Sequence, residues 1–281
     1  MDCFAAARGV RLETRPILRH LRFMVDFQPV ERIEGPASAG VLIVCDHASN
    51  ALPPEYGSLG LPPEAFARHI AYDIGAAGVT RRLAKLLNAP AVLSCFSRLL
   101  IDPNRGGDDP TLVMRISDGA MIPGNARIDA AEVEKRREKY WRAYRDAAVA
   151  EIERMSASGV VPSIISIHSF TPVWKGLARP WHVALLWDCD PRLAKPLIAG
   201  LQGERDLIVG DNEPYDGALA GDTMWELGTS RGLPHALIEL RQDLIADDKG
   251  QQEWADRLAR ELKPILADPA VHRVEMHPTR T

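Results

Sequence analysis

The chain has 281 residues, 46% of them hydrophobic, and a formal net charge of -4. That is enough apolar material for one large α/β domain with a full core, while the slight acidity and the 6% aromatic content argue against a nucleic-acid or anionic-lipid surface. No uninterrupted apolar run reaches the ~18 residues of a membrane span, and four cysteines (Cys3, Cys45, Cys95, Cys189) without a CxxC pair fit a reducing compartment, the cytoplasm, and no disulfide framework.

Residues 1–27 carry Arg8, Arg11, Arg15, Arg19 and Arg22 without an apolar core, so they are not a secretory signal. Residues 1–35 are read as a peripheral tail, with Met24 a candidate start. A single catalytic domain is expected over 36–270 and a short tail over 271–281. The run VLIVC (41–45) reads as a buried strand that delivers CDHASN. His47 there is either a metal ligand on a rigid strand end or a loop histidine bonded locally. Asn50, three residues on, is an amide where an HxxE metal pair would have a carboxylate. A helix is predicted over 64–87, with His69 and Asp73 four apart on one face. His69 reads as an exposed or capping residue. Asp73 sits among Ile70, Ala71, Ile74 and Ala76, and a buried carboxylate needs a partner. It is a candidate third ligand, or a group that orients a ligand histidine.

A strand at 91–95 runs into FSRLLIDPNRGG. Arg98, Asn104 and Arg105 can hold a carboxylate through paired N–H donors, with Asp102 fixing one arginine; the alternative is a loop salt-bridge cluster. The Gly-rich end lacks the GxxxxGK of a phosphate loop. Residues 102–128 form a predicted loop, rich in Gly, Pro and Asp and long enough to be functional. A helix over 130–156 opens with Asp129 and Glu132 as a capping box and carries a Glu138–Arg142 pair. Three cysteines are expected in buried strands as small hydrophobes.

The next strand, 163–167, leads to His168, which is costly to bury unpaired and is a metal ligand or a satisfied core histidine. Ser169 beside it is a hydrogen-bonding candidate for substrate; no GxSxG elbow surrounds it, which counts against a serine hydrolase. Further strands are predicted at 182–187, 206–210 and 235–240, and helices at 192–201, 220–231 and 250–266. Trp174, Lys175, Arg179 and Trp181 in FTPVWKGLARPW can recognise a larger or acidic ligand. The turn VGDNEPYDG puts Tyr215 or Asp216 at a pocket wall or at an ordinary surface turn. Glu239 in ALIELRQD is a carboxylate in an apolar strand, where burial raises the pKa toward that of a general base; its alternative is an ion pair with an arginine. Arg241, two residues on, is a further substrate-binding candidate. Alternating strands and helices predict a parallel or mixed sheet with helices on both faces. Ligands of such sheets bind outside the carboxyl ends of the strands. Two imidazoles and a carboxylate delivered there are the parts of a metal-assisted hydrolase.

In order along residues 45–243, CDHASN, AYDIGA, SRLLIDPNR, SIHSF and IELRQD resemble the N-formylglutamate amidohydrolase family. The resemblance implies a three-layer α/β/α domain around a mixed, mostly parallel sheet, similar to zinc-dependent exopeptidases. It implies hydrolysis of a formyl or acyl amide on an amino acid, with formate and glutamate as products of N-formylglutamate. It assigns His47 and His168 as ligands of one Zn2+, Asn104 and Arg105 as the grip on a substrate carboxylate, and Glu239 as general base. Asp73 as third ligand is an inference that fills the gap left at Asn50; imidazole and carboxylate ligands also suit other first-row ions. Arg98 or Arg105 would stabilise an oxyanion or hold a carboxylate. One rival keeps the site and changes the substrate, giving a carboxypeptidase or N-acyl amino-acid deacylase. Another is a non-catalytic protein that binds a small carboxylate through Asn104 and Arg105. In each case the expected partner is a small molecule rather than nucleic acid or membrane.

Overall fold

The computed structural model describes residues 27–280. The expected N-terminal tail therefore falls largely outside the described residues. Its described end includes β1 (Val30–Ile33), which pairs antiparallel with a strand of the main sheet. In chain order there follow β2 (Val41–Cys45), α1 (Ala76–Leu87), β3 (Ala91–Ser94) and a small hairpin, β4 (Ile116–Ser117) with β5 (Ala120–Met121). Then come α2 (Ala130–Arg136), α3 (Ala143–Ala157), β6 (Ser163–Phe170) and a second hairpin, β7 (Val173–Trp174) with β8 (Leu177–Ala178). The chain ends with β9 (Val183–Leu186), α4 (Pro191–Gln202), β10 (Val209–Asp211), α5 (Thr223–Leu227), β11 (His235–Arg241) and α6 (Asp248–Leu266).

Seven strands form one sheet in the order β1-β3-β2-β6-β11-β9-β10. The central four, β3, β2, β6 and β11, are mutually parallel. β9 runs antiparallel to β11, and β10 is parallel to β9. α1, α4 and α6 pack on one face of the sheet, and α3 and α5 on the other. This is the expected three-layer α/β/α domain with a mixed, mostly parallel sheet. The physical reason lies in the strands: β2 and β6 are buried at every position, and unbroken aliphatic runs suit strands covered on both faces. No helix among the described residues is long and apolar enough to cross a membrane.

Several local expectations are corrected. The predicted helix over 64–87 is broken: Pro63–Ala67 is a short 3-10 turn and α1 begins only at Ala76. Arg68 is extended and Gly75 takes a left-handed conformation with φ of 82°. A Cβ on Gly75 would lie 2.1 Å from the Ile245 carbonyl oxygen, so only glycine permits this approach. His69 and Asp73 therefore lie on an irregular connector and share no helix face. The helix over 130–156 is continuous in direction but takes a wider π-type turn over Arg137–Arg142. Asp129 does cap it, accepting from the Glu132 amide at 2.9 Å, and Glu138 and Arg142 are 3.1 Å apart. Glu132 accepts from Arg136 at 2.9 Å. Cys45 is buried in β2, whereas Cys95 and Cys189 lie just past strands and are half-buried.

The segment over 102–128 contains β4–β5 and is tied down internally. The Asp102 amide donates to Leu112 O at 2.8 Å, and the buried Asn125 side chain donates to Leu99 O and Met114 O at 2.8 Å each.

Candidate active site

The carboxyl ends of β2, β6 and β11, together with the loop after β3, open into a cavity of about 350 Å³. His47 stands two residues past β2. His168 lies near the end of β6, and Glu239 sits directly opposite it in the parallel β6–β11 register. Asp73 is brought in from the connector before α1, where its amide donates to His47 O at 3.0 Å. Asp73 Oδ2 lies 2.8 Å from His168 Nδ1 and 3.3 Å from His47 Nδ1, and it accepts from the Ser169 amide at 3.2 Å. All three residues are buried, and one ligand atom from each lies within 4.8 Å of the others.

Behind each imidazole stands a second buried carboxylate. His47 Nε2 donates to Asp102 Oδ1 at 2.7 Å and His168 Nε2 to Asp46 Oδ2 at 2.9 Å. Such outer carboxylates fix the tautomer, leaving the other ring nitrogen for a metal. Asp46 also accepts from Ser166 Oγ at 2.9 Å and Thr223 Oγ1 at 2.5 Å. Burial alone would raise the Asp46 pKa, but the hydrogen bond and charge of His168 outweigh it and hold it at about 2. Asp102 and Asp73 are likewise held below the ordinary carboxylate range, against their burial. Arg98 and His47 do this for Asp102, and the histidines for Asp73. His168 is raised well above an ordinary histidine, although burial opposes it, because Asp46 and Asp73 both bond it.

This donor set passes the test for a cation. Both Nδ1 atoms face one carboxylate in a buried pocket, so each must hold a proton there or share a positive ion. The His47, Asp73 and His168 group can therefore hold a metal ion. Asn50 takes no part: its side-chain amide donates to Phe66 O at 2.7 Å.

Glu239 is 7% exposed, lines the same cavity, and its Oε2 has no hydrogen-bond partner. Burial pushes its pKa up to about 7; Asp73 adds to this, while His168, His47 and Arg98 oppose it. Arg98 also lines the cavity and bridges two carboxylates, Asp102 at 3.0 Å and Asp73 at 3.5 Å.

Asn104 and Arg105 line the cavity as well. Their loop is gripped from behind: Trp141 Nε1 donates to Arg105 O at 2.9 Å, and Arg145 donates to Pro103 O, Arg105 O and Gly221 O at 3.1 to 3.3 Å. Asn104 Oδ1 accepts from the Thr223 amide at 3.2 Å. The Arg105 guanidinium makes no hydrogen bond or ion pair with a side chain among the described residues, although its charge helps to keep Asp102 ionised. Ser169 reaches the cavity, but its hydroxyl donates to Ile74 O at 2.9 Å. Arg241 is not brought to the cavity; it forks onto Asp243 at 2.8 and 3.3 Å.

Sequence reasoning passed over several of these groups. His69, read as exposed or capping, lines the cavity, and burial lowers its pKa to about 4. Asp46 had a usable signal, a carboxylate at the end of an all-aliphatic strand. Thr223 had none. The cavity also has apolar lining from Leu186, Trp187, Leu219, Met224 and Leu237.

The family model described as N-formylglutamate amidohydrolase matches residues 39–246. Among solved structures, a gene product from Agrobacterium tumefaciens is 34% identical, with a TM-score of 0.79 over 86% of this chain and 96% of its own. An N-formylglutamate amidohydrolase from Ralstonia eutropha JMP134 is 19% identical, with a TM-score of 0.66 over 85% of this chain and 97% of its own, a likeness of fold. No curated protein matches the sequence.

Proposed function

Because this chain belongs to the N-formylglutamate amidohydrolase family and is a hydrolase of carbon–nitrogen amide bonds, we propose that it cleaves N-formyl-L-glutamate to formate and glutamate with one zinc ion per chain. The observation that carries this reading is Glu239, a buried carboxylate with a free oxygen, set in register with His168 in the cavity that holds the His47, Asp73 and His168 group.

In this mechanism His47, His168 and Asp73 hold the metal, with Asp102 and Asp46 keeping both imidazoles oriented. When bound, zinc would supply Lewis-acid polarisation of the formyl carbonyl and acidify a water. Glu239 takes the proton from the attacking water and returns it to the leaving amine, a task suited to a carboxyl with a pKa near neutrality. Arg98, clamped by Asp73 and Asp102, offers an N–H to the oxyanion as it develops. Arg105, with its planar fork free, and Asn104 hold the α-carboxylate of the amino acid. Arg241 lies off the cavity and is taken by Asp243, whereas Ser169, its proton given to Ile74 O, can serve substrate only as an acceptor.

A specific observation favours a second reading, an N-acyl amino-acid deacylase. The apolar wall of Leu186, Leu219, Met224 and Leu237 leaves room for an acyl chain longer than formyl. The deciding experiment is elemental analysis of the purified protein, with formate release from N-formylglutamate measured before and after chelation. N-acetyl- and N-butyrylglutamate run in parallel. About one zinc per chain with chelator-sensitive formate release supports the first reading. Faster turnover of the longer acyl groups supports the second. No zinc uptake and no hydrolysis would remove both.

A further inference from the structure

Three arginines are buried among the described residues: Arg136, Arg145 and Arg179. Arg136 pairs with Glu132 and Arg145 with Glu226. Arg179, between β8 and β9, is 8% exposed and has no carboxylate within ion-pair distance. Its guanidinium makes only long contacts to Thr171, at 3.3 Å to Oγ1 and 3.5 Å to the carbonyl oxygen, and a hydrogen bond to the Tyr215 hydroxyl. Around it stand three rings, Tyr215 at 5.0 Å, Trp174 at 5.4 Å and Phe170 at 5.8 Å. An aromatic cage attracts a cation but cannot satisfy a guanidinium fork that is built to take a carboxylate through two parallel bonds. A buried charge left without a counter-ion is costly, and such a site is completed by an anion from outside.

The cage adjoins the active-site cavity, because Trp174 and Tyr215 belong to both. Phe170 lies two residues beyond His168 on β6. Residues i and i+2 share one side of a strand and are about 7 Å apart. The Arg179 charge is also felt by His69, a cavity-lining residue whose protonation it helps to disfavour. The arginines that line the cavity itself have different tasks: Arg98 is held by Asp73 and Asp102, and Arg105 lies on the loop after β3.

We propose that Arg179, caged by Trp174 and Tyr215, is a subsite for a second, side-chain carboxylate, which makes the enzyme select N-acyl derivatives of acidic amino acids. This rests on the hydrolase reading above for the reaction, though not for the binding.

The test compares zinc-loaded wild type, Arg179→Met and Arg179→Lys on N-formylglutamate and on N-formylglutamine, which has the same shape without the charge. Binding of glutarate and of butyrate is measured by calorimetry on the same proteins. Charge-assisted hydrogen bonds of this kind predict a loss of about 10- to 100-fold. Arg179→Met should raise KM for N-formylglutamate by that factor, leave kcat/KM for N-formylglutamine within about twofold, and erase the preference for glutarate over butyrate. Arg179→Lys should recover part of the preference, since it keeps the charge but not the fork. Equal losses on both substrates in Arg179→Met would mean a structural role and overturn the subsite. So would a wild type that binds glutarate no tighter than butyrate. Glutarate preference that depends on Arg179, with no hydrolysis of either formyl substrate, would retain the subsite and remove the proposed reaction instead.

Discussion

Replacing Glu239 with glutamine should raise stability while it abolishes turnover. Glu239 is 7% exposed with Oε2 unpartnered, and burial raises its pKa from 4.5 to about 7. Its folded-state pKa is thus above the unfolded value. The folded protein gains from a protonated Glu239 below about pH 4.5 and loses that gain as pH rises through about 7. A shift of this size corresponds to ~3 kcal/mol of penalty for holding the carboxylate ionised above pH 7. Glutamine has the same shape and never ionises. The Glu239→Gln protein, stripped of metal, should therefore gain ~3 kcal/mol on wild type between pH 4 and pH 8. For a chain of this size that is a relative Tm shift of roughly 6 to 12 °C. Any cost of burying the amide is the same at both pH values and cancels in the comparison. Thermal melts of both chelated proteins at the two pH values give the number. Zinc content should stay intact after reloading, and kcat should fall by about 10²- to 10⁴-fold, the scale of a lost general base. A variant whose Tm difference from wild type does not change with pH would show that Glu239 is not held at an energetic disadvantage. Wild-type turnover in the variant would remove it from the mechanism.

Asp102→Asn and Asp46→Asn should each weaken zinc affinity by about 10- to 100-fold, because each strips a buried imidazole of its orienting carboxylate; competition with a fluorescent chelator reads this, and unchanged affinity would exclude the orienting role. Zinc affinity should fall as pH is lowered, beginning above the ordinary histidine range, since the raised His168 must surrender a proton for each metal bound; a pH-independent affinity between pH 6 and 8 would contradict this. Arg105→Lys should raise KM for N-formylglutamate with kcat nearly unchanged, because lysine keeps the charge without the planar fork, and steady-state kinetics separates the two. Gly75→Ala should cost more than about 1 kcal/mol, since the new Cβ meets the Ile245 carbonyl at 2.1 Å, and it should lower zinc occupancy by displacing the connector that carries Asp73; a denaturant melt and elemental analysis check both.

The sheet was written in short aliphatic runs. VLIVC, SIISI and HALIEL are too apolar for surface strands and too short for buried helices, so His47 and His168, which follow the first two, and Glu239, near the end of the third, come out toward the carboxyl ends of strands. The layer architecture and the polar residues at the sheet edge followed from these local patterns. Pattern alone failed where a distant contact overrides local preference. Nothing near residue 75 shows that the Ile245 carbonyl will press against it, so the periodicity over 64–87 reads as one helix. The pairing of charges was equally invisible: His47 meets Asp73 and Asp102 across 26 and 55 positions, and His168 meets Asp73 and Asp46 across 95 and 122. Arg241 and Arg179 look alike in sequence, yet one is taken by Asp243 and the other is left in an aromatic cage without a carboxylate. Propensity and hydrophobic period act over a few residues and so determine which segments become strands and helices. Which ionisable groups share a dry pocket depends on strand order and register, and these are decided when the whole sheet assembles.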